Sequence, residues 1–180
     1  DCYLGTNWYA GTADNGGVHT NSGVQNYWFY LLTVGGAATN EVGDNYNVTG
    51  IGMDDAADIA FRNNSVYLVN TSQFTDARMY SIQSAQDLFG SCSQQHISTT
   101  NAWFAVNVGN AWSAPTVTSA FSANTVTSRT VPVTINFANT SQNSNTASWD
   151  FGDTGTSTTW SPSHTYTAPG VYTVTLSVTG

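Results

Sequence analysis

Two side chains five residues apart, Asp14 and His19, carry the chemistry this sequence offers, in the stretch Asp14-Asn15-Gly16-Gly17-Val18-His19-Thr20-Asn21-Ser22-Gly23-Val24. Paired glycines let the backbone take positive φ, so the stretch reads as a shaped loop. Thr20, Asn21 and Ser22 supply side-chain oxygens suited to capping a helix that opens at about Gly23. That places His19 at the mouth of the helix, with Asp14 in reach of one ring nitrogen. A carboxylate on one nitrogen fixes which nitrogen carries the proton and aims the other outward. Such a pair serves as a proton donor or an oxyanion stabiliser. The plain alternative is an aspartate–histidine pair that only stiffens a loop, and spacing alone leaves both readings open.

A pair of this kind needs a packed scaffold. Val24, Tyr27, Trp28 and Leu31 fall at helical spacing and predict a helix over 23–33. Phe29, Tyr30 and Leu32 make its other side apolar too, the mark of a buried helix. Gly35-Gly36 ends it, and residues 37–50 read as an irregular connection holding the chain's one glutamate, Glu41. Residues 1–13 read as an extended lead-in. A second helix follows Gly52, with Asp54, Asp55 and Asp58 in its first turns, where the helix dipole favours them over a metal-site reading. Its inward stripe is Met53, Ala56, Ala57, Ala60 and Phe61. A third helix spans 74–89 behind Thr71-Ser72, facing inward through Ala77, Ser81, Ala85 and Leu88, and a fourth spans 93–106. His96 on the fourth reads as a solvated side chain.

From Pro115 onward the helical period disappears. Val131, Val133, Ile135 and Phe137 alternate strictly, as do Tyr172, Val174, Leu176 and Val178, which marks half-buried strands. Further short strands are expected at about 117–121, 147–151 and 156–160. The fold class is therefore multidomain: a mainly α-helical unit over 1–112, then an all-β, immunoglobulin-like sandwich over 113–180.

Composition narrows the function. The 180 residues carry three arginines, no lysine and eleven carboxylates, a net charge of −8. That argues against nucleic acid and anionic membrane surfaces as partners. No apolar run approaches a membrane span. The Ser-, Thr- and Asn-rich surface points to a secreted, extracellular protein, and in that setting Cys2 and Cys92 are expected to form a disulfide. The three histidines lie far apart in sequence, and a single glutamate leaves no H-E-x-x-H motif.

The stretch Asp14 to Val24 resembles the histidine-bearing motif of thermolysin-like zinc metallopeptidases. The resemblance continues through Tyr30-Leu-Leu, Gly50-Ile-Gly52, Ala60-Phe-Arg62, Asp76-Ala-Arg78, Ser84-Ala-Gln-Asp87-Leu-Phe-Gly90 and Trp103-Phe-Ala-Val106, over about residues 1–109. It implies the carboxy-terminal helical subdomain of a peptidase that hydrolyses peptide bonds with zinc. His19 would donate a hydrogen bond to the developing oxyanion, and Asp14 would orient its ring. The zinc ligands of that family lie upstream of the matching region. The chain is thus expected to be the carboxy-terminal part of a longer enzyme, with a missing amino-terminal part as partner, a protein or peptide as substrate, and no activity alone. The tail resembles the polycystic-kidney-disease (PKD) type of β-sandwich through Trp149-Asp-Phe-Gly-Asp153, His164-Thr-Tyr166 and Pro169-Gly-Val-Tyr-Thr-Val-Thr-Leu176, with Thr154 where many members have glycine. That implies substrate adhesion or spacing. Trp149 and Phe151 read as core. Calcium is a candidate ion at Asp150 and Asp153, against the plainer reading that both stabilise the turn around Gly152. A rival from another class is a non-catalytic extracellular adhesive or structural protein that keeps a peptidase-derived scaffold.

Overall fold

Helix-forming and strand-forming stretches separate along the chain, which folds as two units, Asp1–Ser113 and Ala114–Gly180. The computed structural model describes residues 2–125 and 127–180. In the first unit α1 (Asp14–Asn21) leads into α2 (Gly23–Val34). An antiparallel hairpin of β1 (Gly35–Thr39) and β2 (Asn45–Thr49) follows, then α3 (Met53–Arg62), α4 (Phe74–Phe89) and α5 (Gln94–Ala105). The hairpin corrects the irregular connection expected over 37–50. Tyr46 and Val48 of β2 face the core while β1, Gly-Gly-Ala-Ala-Thr, lies along its outer edge, pairing Gly35 with Thr49 through to Thr39 with Asn45. Residues 2–13 are turned, not extended: Gly5 N–H bonds Cys2 O and Trp8 N–H bonds Gly5 O.

The central helix is α5, not α2. It buries His96, Ser98, Thr99, Thr100, Ala102, Trp103 and Ala105, whereas α2 buries Val24, Trp28, Leu31 and Leu32 and leaves Tyr30 and Val34 exposed. Its hydroxyls are all satisfied. Ser98 Oγ donates to Thr49 O at 2.6 Å, Thr99 Oγ1 to Gln95 O at 2.7 Å and Thr100 Oγ1 to His96 O at 2.9 Å. A hydroxyl bonded to backbone costs little to bury. Trp103 stacks on Trp28 at 4.8 Å and gives its indole N–H to Ser81 Oγ at 2.7 Å, tying α5 to both α2 and α4. The inward faces of α3 and α4 also shift from expectation. Ala56 faces the core as expected, joined by Ile59, while Met53, Ala57 and Phe61 are exposed, and Ser84 takes the place of Leu88. On the surface, Tyr67, Arg62 and Gln83 all donate to the Asp87 carboxylate, pinning the end of α3 and the π-helical segment after it (Asn63–Tyr67) to α4 and holding Asp87 down at about 2.

His96 is buried, not solvated. Its Nδ1 accepts the Cys92 N–H at 3.0 Å, and burial pushes its pKa down. The expected disulfide is absent: both cysteines are free. Cys2 is buried, with its thiol donating to Ala105 O, at the carboxy-terminal end of α5, while Cys92 precedes the amino-terminal end. A helix of twelve residues separates them by about 18 Å, and a disulfide needs Cα atoms within about 7 Å.

In the second unit β3 (Phe121–Ala123), β4 (Val133–Asn139) and β7 (Ser163–Tyr166) form one sheet, and β6 (Thr156–Ser157), β5 (Thr146–Asp150) and β8 (Thr175–Thr179) the other. The strand expected at 117–121 begins at 121 instead, and β7 was not expected. Trp149 and Phe151 are core, with Ile135, Phe137, Tyr166 and Leu176. Thr154 takes φ 76°, a strained conformation for a β-branched residue and the reason a glycine suits that position.

Candidate active site

The loop that carries the Asp14–His19 pair begins with a left-handed turn. Asp14, Asn15, Gly16 and Gly17 take φ of 53°, 48°, 82° and 81° in succession. A left-handed conformation costs an ordinary L-residue about 1–2 kcal/mol, and glycine, asparagine and aspartate are the residues that visit it routinely. The four-residue word Asp-Asn-Gly-Gly is built wholly from those types. Gly16 N–H and Gly17 N–H both bond Ala13 O at 3.0 Å, closing the turn before Val18 resumes right-handed winding.

This reversal brings the Asp14 carboxylate over the start of the following turn. Oδ2 accepts the backbone N–H of His19 at 2.9 Å, and Oδ1 accepts the ring Nδ1–H at 2.5 Å. A carboxylate can only accept, so the proton of that bond belongs to Nδ1. The His19 side chain is 88% exposed, which leaves Nε2 open to solvent. The ring donation, followed by the backbone donation, holds the Asp14 carboxyl below its usual 3.8 and keeps it charged at neutral pH.

Asn21 is the residue the sequence did not single out for this site. It was expected to cap α2, but Ser22 is itself helical, no side chain caps the helix, and Ser22 Oγ donates to His19 O. Asn21 is only 8% exposed and reaches upstream. Its Oδ1 accepts Tyr9 N–H at 3.0 Å, and its Nδ2 donates to Tyr9 O at 3.0 Å and to Gly16 O at 3.2 Å. The Tyr9 ring covers Gly17 so closely that a Cβ there would lie 2.5 Å from Tyr9 Cδ1. Beside the loop, a depression of about 440 Å³ opens between Ser22, Gln25, Asn26, Trp28, Phe29 and Ala60.

The other sequence candidates stay apart. Among the described residues no three of His, Cys, Asp and Glu gather as a metal site. Asp55 accepts from Gln95 of α5. In the second unit Asp150 Oδ1 accepts Gly152 N–H, and Asp153 accepts both Gly155 N–H and the His164 ring, at 2.8 Å for the ring. Both aspartates are occupied in shaping the turn.

Residues 1–108 match the family described as thermolysin metallopeptidase, α-helical domain. The chain belongs to that family. Bacillolysin of Bacillus caldolyticus and thermolysin of Alicyclobacillus acidocaldarius subsp. acidocaldarius are each 47% identical to it over 100 residues. Bacillolysin of Bacillus cereus is 40% identical over 100 residues. Each match covers 56% of this chain and only 17–18% of the relative, so the chain corresponds to less than a fifth of these proteins. Residues 112–180 match the PKD domain. The thermolysin family is zinc-dependent. Among the described residues the three histidines lie apart and no three candidate ligands gather: His96 is buried against Cys92, His164 is paired with Asp153, and His19 with Asp14.

Proposed function

We propose that the thermolysin-like unit supplies the oxyanion-stabilising side of the active site of a secreted zinc metalloendopeptidase acting on protein or peptide substrates. His19 donates from Nε2 to the carbonyl oxygen of the scissile peptide as negative charge develops there, and Asp14 holds the ring for that donation. The observation that supports this is the two-oxygen grip of Asp14 on His19, with Nε2 left as the exposed ring nitrogen. Because the Nδ1 proton is already committed to Asp14, Nε2 carries a proton only while the ring is cationic. The donor is therefore an imidazolium, and its hydrogen bond to an oxyanion is charge-assisted. Zinc and the group that activates the nucleophile belong to the amino-terminal part of the full-length enzyme, and the 180-residue chain is inactive alone. The PKD unit serves substrate adhesion or spacing. Its exposed Trp160 is available for contact, while Trp149 and Phe151 are not.

The test is His19→Ala in the full-length, zinc-loaded enzyme. Loss of one oxyanion donor lowers kcat by about 10²–10³-fold with KM little changed. A kcat within threefold of the parent overturns the assignment.

A further inference from the structure

We infer that Asn21 is a positioning residue for the His19–Asp14 pair, acting through the left-handed turn and never touching the substrate itself. The inference rests on the reading of that pair as the oxyanion donor. The bonds within the turn are short-range ones. Gly16 is open on the Cβ side, with no neighbour within 4 Å, and the bonds that close the turn reach only to Ala13. Asp14 is held by the residue it is meant to hold. Left to itself, an exposed turn of this kind samples other conformations, and the carboxylate moves with it.

Asn21 supplies the missing constraint. Its amide grips both backbone groups of Tyr9, and the same Nδ2 that holds Tyr9 O also takes Gly16 O, in the middle of the left-handed turn. Tyr9 then covers Gly17, the last left-handed residue. The lead-in, twelve residues upstream, and the left-handed turn, five residues upstream, are joined at one buried side chain at the end of α1. All three hydrogen-bonding groups of Tyr9 and Gly16 are backbone groups, so the side chain at 21 alone decides whether they are satisfied. The Asn21 side chain is buried while Tyr9 is half-buried and Gly16 exposed, so truncation at 21 leaves their backbone groups to water and frees the turn rather than collapsing the unit.

The pair has a spectroscopic signature independent of catalysis. A free neutral imidazole favours the proton on Nε2, whereas the Asp14 bond holds it on Nδ1. Two-bond ¹⁵N–¹H spectra of the 180-residue chain, with the ring neutral, are expected to show the Nδ1–H form for His19. In Asn21→Ala the Nε2–H form returns. Asn21→Asp keeps the acceptor for Tyr9 N–H but loses both donations, and it gives a mixture. In the full-length enzyme Asn21→Ala lowers kcat about tenfold with KM within twofold, as expected for a displaced donor. A folded Asn21→Ala chain that keeps the Nδ1–H form overturns the inference. So does loss of the helical fold in both variants, because Asn21 would then hold the unit and not the turn. If His19→Ala leaves peptidase activity intact, the oxyanion reading falls, yet the tautomer spectra still decide whether Asn21 positions the pair.

Discussion

The two oxygens of Asp14 do different work, and one isosteric change separates them. In Asp14→Asn the His19 backbone N–H, bonded to Oδ2 in the parent, selects the amide carbonyl as its acceptor. The NH₂ then faces Nδ1, where it can only donate. The neutral ring must carry its proton on Nε2, so the donor no longer requires a cationic ring. The expected result in the full-length enzyme is a kcat/KM lowered about tenfold, because a neutral donor replaces a charge-assisted one, with the Nε2–H form of the neutral ring in the ¹⁵N–¹H spectra. A neutral ring that keeps the Nδ1–H form in Asp14→Asn would refute the tautomer argument. On the acid side the sign is fixed by the depressed Asp14 carboxyl. The grip is complete above 3.8 and disappears only as pH falls through the lower folded value. At this scale the pair and the positive φ of its glycines were legible from residue type, whereas the extension of the left-handed turn to Asp14 and Asn15 was not read. Asn21 was not legible. An asparagine just before a helix has the local signature of a cap, and only Tyr9, twelve residues upstream, shows what its amide is for.

At the scale of elements, packing decided what hydropathy could not. α2 looked like the buried helix because its apolar residues run round it, while nothing in the polar run Ser98, Thr99 and Thr100 marked α5 as central. Once each hydroxyl bonds a carbonyl, those residues bury at little cost, and α5 becomes the axle of the unit. The β1–β2 hairpin was missed for a related reason. Gly-Gly-Ala-Ala has no strand propensity of its own and is held by pairing to β2, whose Tyr46 and Val48 do the burying. The same burial sets a pH dependence through His96. Its folded pKa lies below the usual 6.5, so the unfolded chain binds its proton first as pH falls. Its contribution is present above 6.5 and lost as pH drops through the folded value. His96→Gln keeps an uncharged acceptor within reach of Cys92 N–H. The variant is expected to match the parent's melting temperature at pH 7.5 and to lose less of it between pH 7.5 and 5. Parallel curves for the two proteins across that range would exclude His96 as the source.

For the whole molecule, the change of texture near Pro115 was the most legible feature, because helical and alternating periods cannot be confused over stretches this long. Each side of it has its own core. Trp28 and Trp103 anchor the first, with Trp149, Phe151 and Phe137 in the second. Trp149 is 1% exposed, packs against Phe121 and Phe137 at 5.1 and 5.5 Å, and donates its indole N–H to Thr159 O. Truncating a residue so enclosed costs about 3–5 kcal/mol. A domain of under seventy residues has a total stability of about 3–10 kcal/mol, so the change removes most of it. If the two cores are energetically separate, Trp149→Ala in the 180-residue chain collapses the amide resonances of 114–180 into the narrow range of an unfolded chain. The helical signal at 222 nm and the His19 ring resonances then stay as in the parent. Trp103→Ala gives the reverse pattern, losing the helical signal while the resonances of 114–180 stay dispersed. Loss of both sets together in either variant would show that the units fold as one. In that case the peptidase-like unit would depend on the PKD unit for its stability, and the Asp14–His19 pair would be held in place by the whole chain.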